Sequence, residues 1–312
     1  MTDMKKSRRP SPRVRGRAVK AFLGQLMAHN GAKLGLAALV VFLAMAAMPV
    51  ILVGPLQTAI NAAGDFLAAP SYANPLGTDE VGRDVLNLVV HGARTSLIIA
   101  LISTGISLIV GTMVGMASGY YGRWVDVWLM RMTDFFFVIP SFVLALVITP
   151  VAVGVMGRGG DILGFRPSLL VIILVIGLTS WAFVARIVRS QTLTLRERQF
   201  VERARVVGTS NIKIMTRHLL PNLVPQIAAN GALVVANAIY TETALSFLGL
   251  GDPLQPSWGT ILSLAQRAGA ASSGAWWYLG APGLCVVIVS LSFVMIGNAL
   301  DDIFNPRRRA IP

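Results

Sequence analysis

"FVERARVVGTSNIKIMTRHLLPN" (residues 200–222) is the longest strongly polar stretch in the interior of an otherwise apolar chain. Phe200, Val201, Ala204 and Val207 recur along one face of a short helix, while Glu202, Arg203 and Arg205 take the other faces. Gly208 can enter the left-handed conformation that stops a helix. Ser210 or Asn211 can cap a second helix, which Pro221 is expected to end. The stretch reads as a helix–turn–helix elbow with an apolar face on offer. A plain connector lying on a lipid surface would not need two capped helices around one glycine.

The flanks decide where that elbow sits. Charged residues make up 13% of the 312, against about 25% in soluble domains, and the mean hydropathy is +0.67. Crossing the hydrocarbon core as a helix takes about 20 mainly apolar residues. Six segments qualify: Leu34–Val53, Thr95–Ala117, Val127–Val151, Ser168–Val188, Ile227–Leu250 and Tyr278–Ile303. Backbone in lipid must satisfy its own hydrogen bonds, so these runs read as helices despite their β-branched residues. Pro49, Pro140 and Pro282 each predict a kink. In the second span Gly105, Gly111 and Gly115, with Ser103 and Ser107, form a small-residue pattern suited to close helix packing.

The distribution of Lys and Arg sets the orientation. With both ends in the cytoplasm, residues 1–33 hold nine, 118–131 two, 186–226 eight and the C-terminal Arg307, Arg308 and Arg309 three. The other side holds five: Arg83, Arg94, Arg158, Arg166 and Arg267. The predicted fold is therefore an all-α integral membrane protein of six transmembrane helices, with both termini cytoplasmic and the elbow between helices 4 and 5. Residues 1–33 form a basic cytoplasmic tail, and 34–94 the first span and an external loop with an amphipathic helix. Residues 95–303 form the core, with the elbow loop at 189–226, and 304–312 a second basic tail. The N-terminal region does not read as a cleavable signal peptide, because the apolar run after it is too long and lacks a cleavage site. The net charge of +13 is accounted for by topology, which removes nucleic acid as the implied partner.

The external segment "NPLGTDEVGRDVLNLVVHGARTSL" (residues 74–97) predicts a helix leading into the membrane, capped by Thr78 or Asp79, with Glu80 in its first turn. Its carboxylates Asp79, Glu80 and Asp84 lack the glycine and spacing of a calcium loop. Capping, and pairing of Asp84 with Arg83 or nearby groups, explains them better. Within the spans, ionisable residues are functional candidates by default. Arg131 and Asp134 share a helix face and are expected to neutralise each other near the cytoplasmic end. Glu242, beside Tyr240, Thr241 and Thr243, has no Lys or Arg near it in sequence. It faces either a hydrated cavity or a polar group on another helix, so Glu242, Tyr240 and Thr241 are candidates for a path or a helix interface.

Other chemistry finds little support. Cys285 is the only cysteine, which excludes an internal disulfide and a cysteine metal site. His29, His91 and His218 fall on both faces and cannot converge on one ion. No nucleophile elbow, zinc-protease motif or phosphate loop occurs. An ion-coupled transporter would need an intramembrane ion site and usually a repeat, and a channel a filter or charged ring. Neither stands out.

"ERARVVGTSNIKIMTRHLLP" resembles the cytoplasmic signature of inner-membrane permease subunits of ATP-binding cassette importers. Glu202, Ala204, Gly208, Leu220 and Pro221 stand at the signature's spacing, with departures at Arg203 and His218. "RHLLPN" (217–222), the segment Asn74–Asp84, "ETALSFLGLG" (242–251) and "PSWG" (256–259) extend the resemblance to the dipeptide, oligopeptide and nickel subgroup, closest to its second permease. It covers the chain from about residue 20 onward. The resemblance implies a MetI-like half-pore, not an enzyme, in the inner membrane of a prokaryote, with peptides as cargo and nickel or another small solute as the alternative. It implies a homologous second permease, two ATPase subunits that carry the ATP and magnesium, and an external substrate-binding protein. Residues Phe200–Ala204, Val207, Gly208, Leu220 and Pro221 would then be the coupling elbow, and this chain would hold no cofactor of its own.

Overall fold

The longest helix grows from the second apolar run. In the computed structural model, which describes residues 24–156, 166–252 and 254–304, α3 spans Val85–Tyr121 without interruption. Before it come α1 (Asn30–Ala47) and the short α2 (Pro49–Val53), separated at Met48 where Pro49 removes a donor. After it come α4 (Arg123–Val138), α5 (Ser141–Met156) and α6 (Pro167–Arg196). The elbow region holds α7 (Gln199–Val206) and α8 (Asn211–Ile214). A π-helical turn, Met215–Leu219, leads into α9 (Leu220–Leu245), then α10 (Trp258–Arg267) and α11 (Trp276–Phe304) complete the order. No strand occurs among the described residues. Most of the basic N-terminal tail, residues 1–23, and Arg158 and Arg307 to Arg309 lie outside the described residues.

Five helical stretches are long and apolar enough to cross a membrane: α1, α3, α6, α8 through α9 and the π-helical turn Ser246–Leu250 that follows it, and α11. The third expected span is instead two helices, α4 and α5, meeting at 85° around Ile139 and Pro140, which make a sixth crossing if they count together. Hydropathy reads composition and is blind to such a bend, although Pro140 marks the place.

α3 and α6 pack along most of their length. A Cβ on Gly111 would stand 2.6 Å from Val184 Cβ, and one on Gly115 2.4 Å from Ala185 O, so only glycine permits this approach. Ser107 donates to Gly177 O at 2.8 Å in the same seam. Gly105 is a correction: nothing lies within 4 Å of where its Cβ would be, and Gly119 is the third seam glycine instead. A large apolar core joins α3, α6, α9, α10 and α11, with Trp258 and Tyr278 fully buried in it.

The external segment caps differently from expectation. The N-cap of α3 is Asp84, whose carboxylate accepts from Leu86 N–H at 2.9 Å, and not Thr78 or Asp79. Asp79 is buried and accepts from Val81 N–H, Arg83 N–H and Arg83 Nε at 2.9, 2.8 and 2.6 Å. Arg83 therefore pairs with Asp79, and Asp84 is left free to cap. The Thr78 hydroxyl donates to Asp65 O at 2.6 Å, and Tyr278 OH donates to Glu80 at 2.5 Å. Sequence spacing could not distinguish these carboxylates because their partners come from distant segments.

Candidate functional site

The elbow is built as two faces. Gly208 takes φ +79°, and Thr209 N–H bonds Ala204 O at 3.0 Å, closing α7 with the left-handed cap its residue type predicts. Val201, Ile214 and Leu219 are fully buried, packed with Leu223, Met116, Val184 and Val188. Ala204 leans on the same cluster. Tyr120 OH donates to Asn211 Oδ1 at 2.8 Å, the Arg205 guanidinium lies over the Tyr120 ring, and Arg196 Nη1 donates to Gly119 O at 2.9 Å. The elbow is thus fastened to the ends of α3 and α6.

Its outer face is bare. Val206 and Val207 are 84% and 83% exposed, Ile212 68%, and Phe200 is partly exposed. The single apolar stripe expected of Phe200, Val201, Ala204 and Val207 is therefore divided, with Val201 and Ala204 turned inward and Val207 outward. Val206 and Ile212 belong to the outer face and were not singled out from the sequence. A helical period across two short helices would have found Ile212 only if the turn geometry were known. Glu202 and Arg203 are exposed beside them. Leu220 and Pro221 do not end a helix. They open α9 directly after the π-helical turn Met215–Leu219, so the chain stays helical through the proline. Ser210 occupies the N-cap of α8 without a side-chain capping bond.

The expected Arg131–Asp134 pair is not formed. Asp134 receives Arg186 Nη2 at 2.7 Å from α6, and the Arg186 guanidinium lies 3.8 Å over the Phe137 ring. An arginine preceding an acid on one helix is the poorer order for such a pair, and α6 presents a better-placed cation. One turn nearer the elbow, Arg189 grips Asp126 through Nε and Nη2, both at 2.6 Å. Two ion pairs thus join α4 to α6, and sequence distance hid both.

Glu242 is fully buried at the far end of α9. Ser246 Oγ donates to it at 2.9 Å and Thr243 Oγ1 at 3.4 Å, with the hydroxyls of Ser96 and Ser257 also turned toward it. Ser257 caps α10 in a reciprocal box with Thr260, and Trp258 N–H donates to Ser96 Oγ at 3.1 Å. Of the two readings of Glu242, the structure has the polar helix interface, joining α3, α9 and α10. Tyr240 lies on the opposite, exposed face of α9, while Thr241 donates to Asn237 O at 2.9 Å. The three residues therefore do not form one site. No group of three metal-ligating side chains gathers among the described residues.

A bundle with five or six apolar helical stretches long enough to cross a membrane defines a multi-span membrane protein. Residues 111–310 match the family model described as "Binding-protein-dependent transport system inner membrane component", and the chain belongs to that family. It is 35% identical over 245 residues to a "Dipeptide transport system permease protein" of Alkalihalophilus pseudofirmus, covering 78% of this chain and 75% of that one. A "Putative peptide transport system permease protein" of Brucella abortus is 36% identical over 289 residues, covering 91% and 90%. Among solved structures, an inward-facing MetNI methionine ABC transporter chain matches with TM-score 0.54 and 18% identity, over 70% of this chain and 95% of that one. At that identity the likeness concerns the fold. The chain is a permease of the ATP-binding cassette importer class.

Proposed function

We propose that this permease forms half of a path for di- and oligopeptides across the inner membrane of a prokaryote, with both termini and the elbow on the cytoplasmic side. The names of its relatives support peptide cargo, and the excess of Lys and Arg on one side supports the orientation. A homologous second permease completes the path. Two ATPase subunits bind ATP and magnesium and grip the elbow, and a binding protein delivers cargo from outside.

The observation that carries the coupling role is the divided elbow. A tip of Val206, Val207 and Ile212 left in water is the apolar anchor that a groove on a soluble partner would bury. Its inner face is locked onto α3 and α6, so a pull on the tip moves those spans as a rigid body. ATP binding would draw the two ATPases and their elbows together, opening the cavity outward, and hydrolysis would reset it.

The test is reconstitution with the transport proteins encoded beside it, measuring uptake of labelled di- and tetrapeptides against nickel. Gly208→Pro, which forbids positive φ, and Glu202→Lys should abolish ATP-driven uptake while the protein remains in the membrane. Wild-type uptake and ATPase stimulation in either variant would remove that residue from the coupling role. Protease or thiol labelling of the elbow from outside intact cells would overturn the orientation.

A further inference from the structure

The 85° break between α4 and α5 opens a hollow of about 440 Å³ against α6 and α9. Phe136, Phe137 and Phe183 line it together with Ser141, Ser180 and Asn237. Asn237 is exposed, and the side-chain polar groups of Asn237, Ser141 and Ser180 make no hydrogen bond to other described residues. Asn237 also continues a line along α9 at helical spacing, through Asn230 and Tyr240.

A second hollow of similar size, about 460 Å³, adjoins the first across Phe136 and Thr179, which line both. Val110, Val114, Ile148, Leu174 and Leu178 line it, and the hydroxyl of the shared Thr179 is already bonded to Val175 O at 2.8 Å. Hydrocarbon fits there. In the first hollow it does not, because three unpaired polar side chains and an interrupted helical backbone would be left without partners in lipid. That face therefore meets water or a polar solute.

The lining also defines the solute. A side-chain amide donates and accepts at once, as a peptide unit does, and hydroxyls adapt to either role. The three phenylalanines accept varied side chains without selecting charge. No carboxylate, imidazole or thiol lines the hollow among the described residues, so it offers a bare divalent metal nothing to hold it. The Arg186 guanidinium over the lining residue Phe137 is neutralised by Asp134. We propose that this hollow is a subsite of the translocation path that holds the backbone amides of a peptide, with Asn237 and Ser180 as its polar contacts. The proposal rests on the reading of the chain as a peptide permease.

Two measurements on the assembled complex test it. In a Cys285→Ser background, Asn237→Cys should react with a membrane-impermeant sulfonate thiol reagent and be protected by saturating tetrapeptide with the binding protein, whereas Leu178→Cys in the apolar hollow should not react. Second, Asn237→Leu with Ser180→Ala should lower tetrapeptide uptake about tenfold, the loss expected for one or two hydrogen bonds, while the complex still assembles. Asn237→Gln should keep most of the rate. Absence of labelling at position 237, labelling without protection, or full uptake in the double variant would overturn the subsite. A wild-type complex that carries nickel but no peptide would bring down the cargo reading itself, whereas peptide uptake that ignores both substitutions sinks the subsite alone.

Discussion

The Asp84 end of α3 and the elbow use the same materials to opposite effect. Around Thr78–Asp84 and Glu242, the acidic side chains find donors inside the chain. Asp79 takes two backbone N–H groups and Arg83, Glu80 takes Tyr278, and Glu242 takes the surrounding hydroxyls. At the elbow the inner face is as well packed, but the outer face leaves three large aliphatic side chains in solvent. The acids of the first region are answered within the chain. In the coupling proposed above, the outer face of the second would be covered by a partner, and the difference would then separate residues that hold the fold from residues that pass work on.

Substitutions sharpen or break that contrast, ranked here by expected effect on stability. Val201→Asp puts an unpaired charge in a fully buried position and should cost more than about 4 kcal/mol, read as loss of folded protein after detergent extraction. Glu242→Ala strips the acceptor from Ser246 and Thr243 and leaves a void. It should cost about 2–3 kcal/mol by thermal melting, while Glu242→Gln, which still accepts from Ser246, should retain most of the stability. Tyr278→Phe removes one bond to Glu80 and should cost about 1 kcal/mol in the same assay. Asp134→Asn breaks a pair whose side chains are 53% and 41% exposed, and solvent screening limits its cost to below about 1 kcal/mol. Val207→Glu with Ile212→Glu should leave the melting curve within about 0.5 kcal/mol of wild type yet abolish uptake and ATPase stimulation. If that last variant unfolded, or transported normally, the contrast between the two regions would fail.

The parts legible in the sequence are those set by composition and local geometry. The apolar runs announced the spans because hydrocarbon imposes helix on any such run, and Gly208 announced the elbow because a left-handed residue ends α7. What depended on distant partners stayed hidden. Asp134 meets Arg186, 52 positions away, and Asp84 became the cap only because Arg83 was taken by Asp79. α10 went unread because its 10 residues are too short to cross a membrane and its anchor, Trp258, is recognised by Ser96 and by Val89 O on α3. The hollow at Ile139–Pro140 was hinted at by one proline, but its polar wall comes from α6 and α9 and could not be assembled from spacing.

α3 runs 37 residues from its Asp84 cap to Tyr121 beside the elbow, about 55 Å at helical rise and nearly twice a bilayer's oily interior. Its glycine seam with α6 leaves little slack for bending along the way. Tilting one tip of such a rod must swing the other, as with an oar in its lock. In the cycle proposed above the far end would need no messenger of its own: Tyr120 and Asp84 ride on one continuous helix, and a tilt at the elbow would be felt at the cap in the same stroke.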